Sequence, residues 1–308
     1  MILFSKIFFK ILAILLNIIV GYSAGASKKV DRDSIASLLF YFVSPIVFFA
    51  IPASTTLGVI ELSITCVTFT TSCLVSLVNY HVLGKVFNDP RRNILATSSG
   101  TANTGFFMLP IAASIFDGYT LSIYMMGVIG VNVYEASLGY YFCARSVTST
   151  KESIKQVLRL PILHAFFLGC LFSFAGFTLP DFLDDFIYNI RCTYSVLGIF
   201  MIGFGLSSMT SLSMDWQFAS IAFVNKFVIY PIAIAGFILL DKEMFKFYDK
   251  VHYDALRLIS YAPMGTSTIL FSTIVKYPPA VTAACVLLSC ILALVYVPCA
   301  VMLFIENE

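Results

Sequence analysis

Residues 98–110 read Ser-Ser-Gly-Thr-Ala-Asn-Thr-Gly-Phe-Phe-Met-Leu-Pro, inside an apolar segment of about 93–116 that is long enough to cross a bilayer. An ordinary spanning helix is not written this way. Small and hydroxyl residues are packed together, Asn103 brings in an amide, and Pro110 follows seven residues later. In hydrocarbon a freed backbone N–H or C=O costs on the order of several kcal/mol, so a broken helix is tolerated only where protein or a water-filled cavity covers it. Each half-helix then presents an end, and a half-helix N-terminus offers unpaired N–H groups and partial positive charge to an anion. A second stretch, residues 256–274, repeats the pattern. Pro263 and Gly265 interrupt an apolar segment, and hydroxyls follow at Thr266, Ser267 and Thr268. Small residues that serve only close packing would explain either stretch alone. Two interrupted segments in corresponding positions of two halves point instead to a transporter's binding site.

Composition narrows the class. The chain has 308 residues, of which 59% are hydrophobic and 12% charged, with a mean hydropathy of +0.91. Such a chain is a polytopic membrane protein, with the lipid bilayer as its solvent. The net charge of +2 singles out no partner, and nothing suggests a nucleic-acid surface. The sequence has no P-loop, no G-x-S-x-G and no H-E-x-x-H, so neither enzymatic chemistry nor direct ATP hydrolysis is expected, and no cofactor. The eight cysteines form no C-x-x-C pair and read as small buried residues, neither a disulfide framework nor a metal site. No cleavage site followed by a soluble domain succeeds the first apolar segment, which is expected to be retained as a helix.

Ten spanning segments are expected, at about 2–24, 34–53, 57–80, 93–116, 120–144, 157–177, 186–209, 216–240, 254–275 and 279–305. The linkers after the first, third and fifth carry Lys28, Lys29 and Arg32; Lys85, Arg91 and Arg92; and Arg145, Lys151 and Lys155. The turns around Thr55 and Gly118 carry no basic residue. By the positive-inside rule the basic linkers face the cytoplasm and both termini lie outside, although Lys242, Lys246 and Lys250 then fall outside too. Five helices that begin outside end inside, so the next five run in the opposite sense. The chain thus divides into two inverted five-helix repeats, residues 1–150 and 151–308, with a broken helix fourth in each.

Ionisable groups inside a membrane are functional candidates by default. Glu135 and Lys226 each fall mid-segment. They read either as a charge relay that couples transport or as a structural ion pair. Asn132 and Asn225 either hydrogen-bond a carboxylate or bridge helices, with bridging expected; His164 is expected to be a satisfied interior histidine, and Glu61 to snorkel from a helix end. Asp181, Asp184 and Asp185 read as a solvated acidic turn, not a metal site.

Asn-Thr-Gly-Phe-Phe-Met-Leu-Pro at 103–110 resembles the crossover motif of the auxin efflux carrier family, which includes plant auxin exporters and bacterial carriers of small carboxylates. Met108 departs from it, since a glycine is commoner there. The later Ala-Pro, Ser-Thr-Ile-Leu-Phe-Ser at 267–272, Ser289 and Pro298 are similar to the family's last two helices. The resemblance implies an all-α integral membrane fold in which helices 4 and 9 cross. Helices 1, 2, 6 and 7 would form a scaffold, and helices 3–5 and 8–10 a transport unit. It implies a secondary carrier of a small organic anion in a plasma (inner) membrane, with a proton or sodium ion as coupling ion and a homodimer as assembly. Asn103 would contact the substrate, and Thr104 and Gly105 would open the half-helix. Pro110 and Pro263 would hold the breaks, and Gly265, Thr266 and Ser267 would line the opposite side. Two alternatives stand beside this: a sodium-coupled carrier of the related bile-acid type, and a membrane receptor that binds a ligand on the same fold without moving it.

Overall fold

Backbone groups facing lipid must satisfy one another within the segment, so apolar runs of this length become helices. The computed structural model describes residues 2–54, 58–207 and 214–304, and contains helices and no strand among them. Seven helices there are long and apolar enough to cross a membrane: α1 (Leu3–Ala26), α2 (Asp33–Ala53), α3 (Val59–Leu83), α6 (Gly118–Arg145), α9 (Asp181–Ser207), α10 (Trp216–Phe245) and α13 (Pro279–Leu303). An eighth apolar passage is a bent pair, α7 (Thr150–Leu158) and α8 (Pro161–Phe174), with 48° between them. The turn around Thr55 and the expected segment ends at Leu57, Met209 and Ile305 lie outside the described residues.

Both interrupted stretches are broken helices. The first is α4 (Arg91–Gly100), a turn of π-helix at Thr104–Met108, and α5 (Leu109–Ile115). The second is α11 (Lys250–Ser260), an irregular linker over 261–266, and α12 (Ser267–Ile274). The 10 residues of α4 advance only about 15 Å, half of a hydrocarbon core of about 30 Å, so neither half could span alone.

The expected continuous segment at 157–177 is corrected. Its first residues belong to α7, whose Ser149 cap accepts a hydrogen bond from the Glu152 N–H at 3.3 Å. Pro161 then opens α8 as its first residue. The ring of a proline disfavours helical backbone at the residue before it, so the chain turns at Leu160.

Helix pairing follows the small residues. α1 packs along α9, α2 against α8, and α3 against both α6 and α4. At the α3–α6 contact a Cβ on Gly130 would stand 2.3 Å from the Thr65 carbonyl oxygen, so only glycine permits this approach. The closeness lets hydroxyls cross between helices. Thr65 donates to the Met126 carbonyl at 2.8 Å, and Thr68 to that of Gly127 at 2.9 Å. At one end of the bundle, Asp215 caps α10 through the Phe218 N–H at 3.0 Å and accepts the Tyr277 hydroxyl at 3.0 Å. Arg91, at the start of α4, reaches the same carboxylate at 3.6 Å and holds Asp89 at 2.7 Å. That guanidinium keeps the Asp89 carboxyl below its ordinary range.

Candidate substrate site at the two helix breaks

α4 stops at Gly100 because Thr101 turns to extended backbone (φ −87°, ψ 156°). Two residues later Asn103 restarts the helix. Its side-chain oxygen accepts the Phe107 N–H at 3.0 Å, satisfying one of the unpaired donors at the new N-terminus. The same residue joins the two breaks. The Asn103 N–H donates to the Pro263 carbonyl at 2.9 Å, a backbone bond between linkers 160 positions apart. Gly265 makes the crossing possible, because a Cβ there would lie 2.9 Å from the Thr101 hydroxyl and 3.0 Å from its Cβ. The Thr101 and Thr268 hydroxyls meet at 3.4 Å, and the Met264 N–H donates to Ser289 at 3.1 Å, which ties the second linker to α13.

The half-helices are held from outside as well. Tyr124 of α6 donates to the Thr104 carbonyl at 2.8 Å, and Ser195 of α9 to the Gly105 carbonyl at 3.4 Å. Pro110 is the second residue of α5 and stands beyond the π turn, not at the break itself. Lacking an N–H, it leaves a carbonyl one turn back without its helical partner, and the Ser195 hydroxyl is placed to answer that need.

Two polar side-chain atoms at the crossing are buried and have no hydrogen-bond partner, Asn103 Nδ2 and Thr104 Oγ1. Buried polar groups are almost always paired, so two unpaired ones at a helix break are what a ligand or ordered water would complete. A cavity of about 100 Å³ lies beside them, lined by Asn132, Glu135, Phe106, Tyr194, Thr266 and Ser267 and closed by apolar side chains of α2. Phe106 and Tyr194 pack with ring centroids 4.4 Å apart. The half-buried Glu135 carboxylate faces the Ser267 hydroxyl and the Ala102 N–H, with the Lys226 charge farther off.

Lys226 is 1% exposed. Its ammonium donates to the Thr101 carbonyl at 3.4 Å and sits 4.3 Å from the Tyr230 ring centroid. It therefore rests at the carbonyl end of α4, where the helix dipole favours a cation. It is not in direct contact with Glu135; the two charges face each other across the 101–102 linker.

Of the residues singled out in the sequence, Thr266, Ser267 and Glu135 line the cavity. Asn103, Thr104, Pro263 and Gly265 form the crossing beside it. Gly105 packs on Tyr194, where a Cβ would stand 3.3 Å from the ring. Pro110 and Lys226 do not line the cavity. Asn132 lines it as well. Asn225 is buried with Nδ2 unpaired. His164 shares a hydrogen bond with the Leu160 carbonyl at 2.9 Å but lies on an exposed face, which corrects the interior placement. Glu61 caps α3 through the Gly58 N–H at 3.0 Å. All eight cysteines are free, and Cys66, Cys192 and Cys299 are exposed on apolar helices, not buried. No cluster of three metal-binding side chains occurs among the described residues. Sequence reasoning missed Thr101, whose carbonyl holds Lys226, and the aromatic wall of Phe106 and Tyr194. Aromatic residues in an apolar segment carry no signal that separates a cavity wall from ordinary core.

Over 87 residues, 27% of this chain, the sequence is 29% identical to the probable auxin efflux carrier component 9 of Oryza sativa subsp. japonica. The chain is similar to a carrier. The shared stretch spans 20% of the rice protein's length. No family model matches the chain. The many apolar helices support a multi-pass integral membrane protein, and the likeness to a carrier is confined to that stretch.

Proposed function

We propose that the protein is a secondary carrier of a small organic anion, with the substrate bound where the two broken helices cross. The observation that carries this reading is the Asn103–Pro263 backbone bond, with unpaired Asn103 Nδ2 and Thr104 Oγ1 around it. The N-terminus of the second half-helix and the Asn103 amide would receive a carboxylate without a full buried charge opposite it. The phenyl and phenol rings of Phe106 and Tyr194 would cover its apolar body.

The seven long helices, the bent pair and the two broken stretches amount to ten passages, which we read as two inverted five-helix repeats meeting near residue 150. The pairing of α1 with α9 and of α2 with α8 supports a scaffold of segments 1, 2, 6 and 7. The remaining segments form the transport unit, and the cavity lies between α2 and α9 on one side and the crossing on the other. Movement of that unit against the scaffold would expose the site to each side in turn. Both termini face outside in this reading, and the membrane is the plasma membrane. A pair of chains would join through scaffold helices.

Coupling is assigned to Glu135. Its carboxylate lines the cavity, whereas the Lys226 ammonium already occupies the carbonyl end of α4, where a free sodium ion would otherwise be drawn. This favours a proton over sodium as the coupling ion. The test is uptake of labelled phenylacetate and malate into proteoliposomes, with and without a pH gradient and with sodium or choline outside. Uptake that follows the pH gradient and ignores sodium is expected, and Glu135→Gln should flatten the pH dependence. An unchanged pH profile in that variant would remove Glu135 from coupling, and a sodium requirement would favour the bile-acid type.

A further inference from the structure

We infer that Arg191 is the residue that selects for a negative charge on its way to the crossing, an inference that rests on the carrier reading above. Arg191 lies within α9, inside a stretch that is otherwise apolar enough to span a membrane. A guanidinium at such a position is costly and is usually paired or functional. Here its Nε is buried without a hydrogen-bond partner. Asp184, two turns back, is the acid whose charge reaches it, and no ion pair joins the two.

Its place on the helix gives this charge a direction. Tyr194 and Met201 line the cavity, and Gly198 carries the Phe106 ring against it. Positions 191, 194, 198 and 201 follow the three-and-four spacing of one helix face. Arg191 therefore stands on the cavity stripe, about 4.5 Å along the axis from Tyr194 at 1.5 Å per residue. The next residue on the crossing side, Ser195, already touches the Gly105 carbonyl. A planar guanidinium matches a carboxylate in two hydrogen bonds, a geometry that a neutral isostere cannot use as well. Arg191 belongs to α9 and so to the scaffold. It would meet the anion before the crossing does and hand it to the Asn103 end of the second half-helix.

The competing role is an anchor, with the side chain reaching lipid phosphate. Concentration dependence separates the two. Phenylacetate uptake is measured in proteoliposomes for the parent, Arg191→Gln and Arg191→Lys, with phenylacetamide as the uncharged competitor and thermal melting in detergent as the fold control. Arg191→Gln is expected to raise the half-saturating phenylacetate concentration about tenfold while the maximal rate stays within about twofold. Arg191→Lys should recover part of the loss, and phenylacetamide should compete better against Arg191→Gln than against the parent. Parent-like half-saturation in Arg191→Gln, with or without a lower melting temperature, overturns the inference and leaves an anchoring role. No uptake by the parent overturns the carrier reading, and this inference with it.

Discussion

Replacing Asn103 with alanine is expected to lower phenylacetate uptake at least a hundredfold, or roughly 2.7 kcal/mol of lost stabilisation, while the protein still folds. The residue performs two separable tasks. Its Oδ1 accepts the Phe107 N–H at 3.0 Å, and its Nδ2 places a buried, unpartnered donor at the crossing. Loss of a helix cap costs about 1 kcal/mol, which a helical bundle of this size absorbs with a small fall in melting temperature. Loss of the donor removes the proposed substrate contact. Asn103→Asp separates these tasks, because a carboxylate can still cap the Phe107 N–H but repels an anion. It should melt like the parent and transport like Asn103→Ala. Full uptake by Asn103→Ala, measured beside an unchanged melting curve, would take the site away from the crossing.

Lys226→Met carries the second large effect. Lys226 is 1% exposed, holds the Thr101 carbonyl, and supplies the positive charge that faces Glu135 across the linker. Methionine fills the volume but leaves that carbonyl without its donor and Glu135 without a balancing charge. Stranding a half-buried carboxylate and a buried carbonyl in this way costs on the order of 2 kcal/mol or more. Melting in detergent should fall clearly, and uptake by roughly a hundredfold. Adding Glu135→Gln removes the stranded charge, so the double variant should regain much of the melting temperature. If Glu135 couples transport, uptake stays low in the double variant and no longer follows the pH gradient. Recovery of both stability and pH-dependent uptake would reduce the two residues to a structural pair.

Much of the helical architecture is legible in the sequence because lipid enforces it. Long apolar runs become helices, and glycine or proline with clustered hydroxyls marks the two places where helices break. The Asn103–Pro263 joint is legible only as two breaks; that they touch is a tertiary fact, set by Gly265 and the hydroxyl contacts of Thr101 and Thr268. Pro161 reads as part of a continuous helix, since spanning helices tolerate proline, yet it opens a new one at 48° to the last. Lys226 is legible as a buried charge but its partner is not, because that partner is a backbone carbonyl, which every residue has. Arg191 looks in the sequence like an interruption near the start of a segment. Only the shared helix face with Tyr194 and Met201 connects it to the cavity.

Counterflow in proteoliposomes separates a carrier from a receptor. Vesicles loaded with unlabelled phenylacetate, with no ion gradient and no voltage, are placed in a trace of the labelled acid. A carrier whose single site faces each side in turn should accumulate label transiently above equilibrium, and Asn103→Ala should not. Saturable binding of label by the parent protein with no such overshoot would contradict alternating access and leave a receptor on a carrier-like fold.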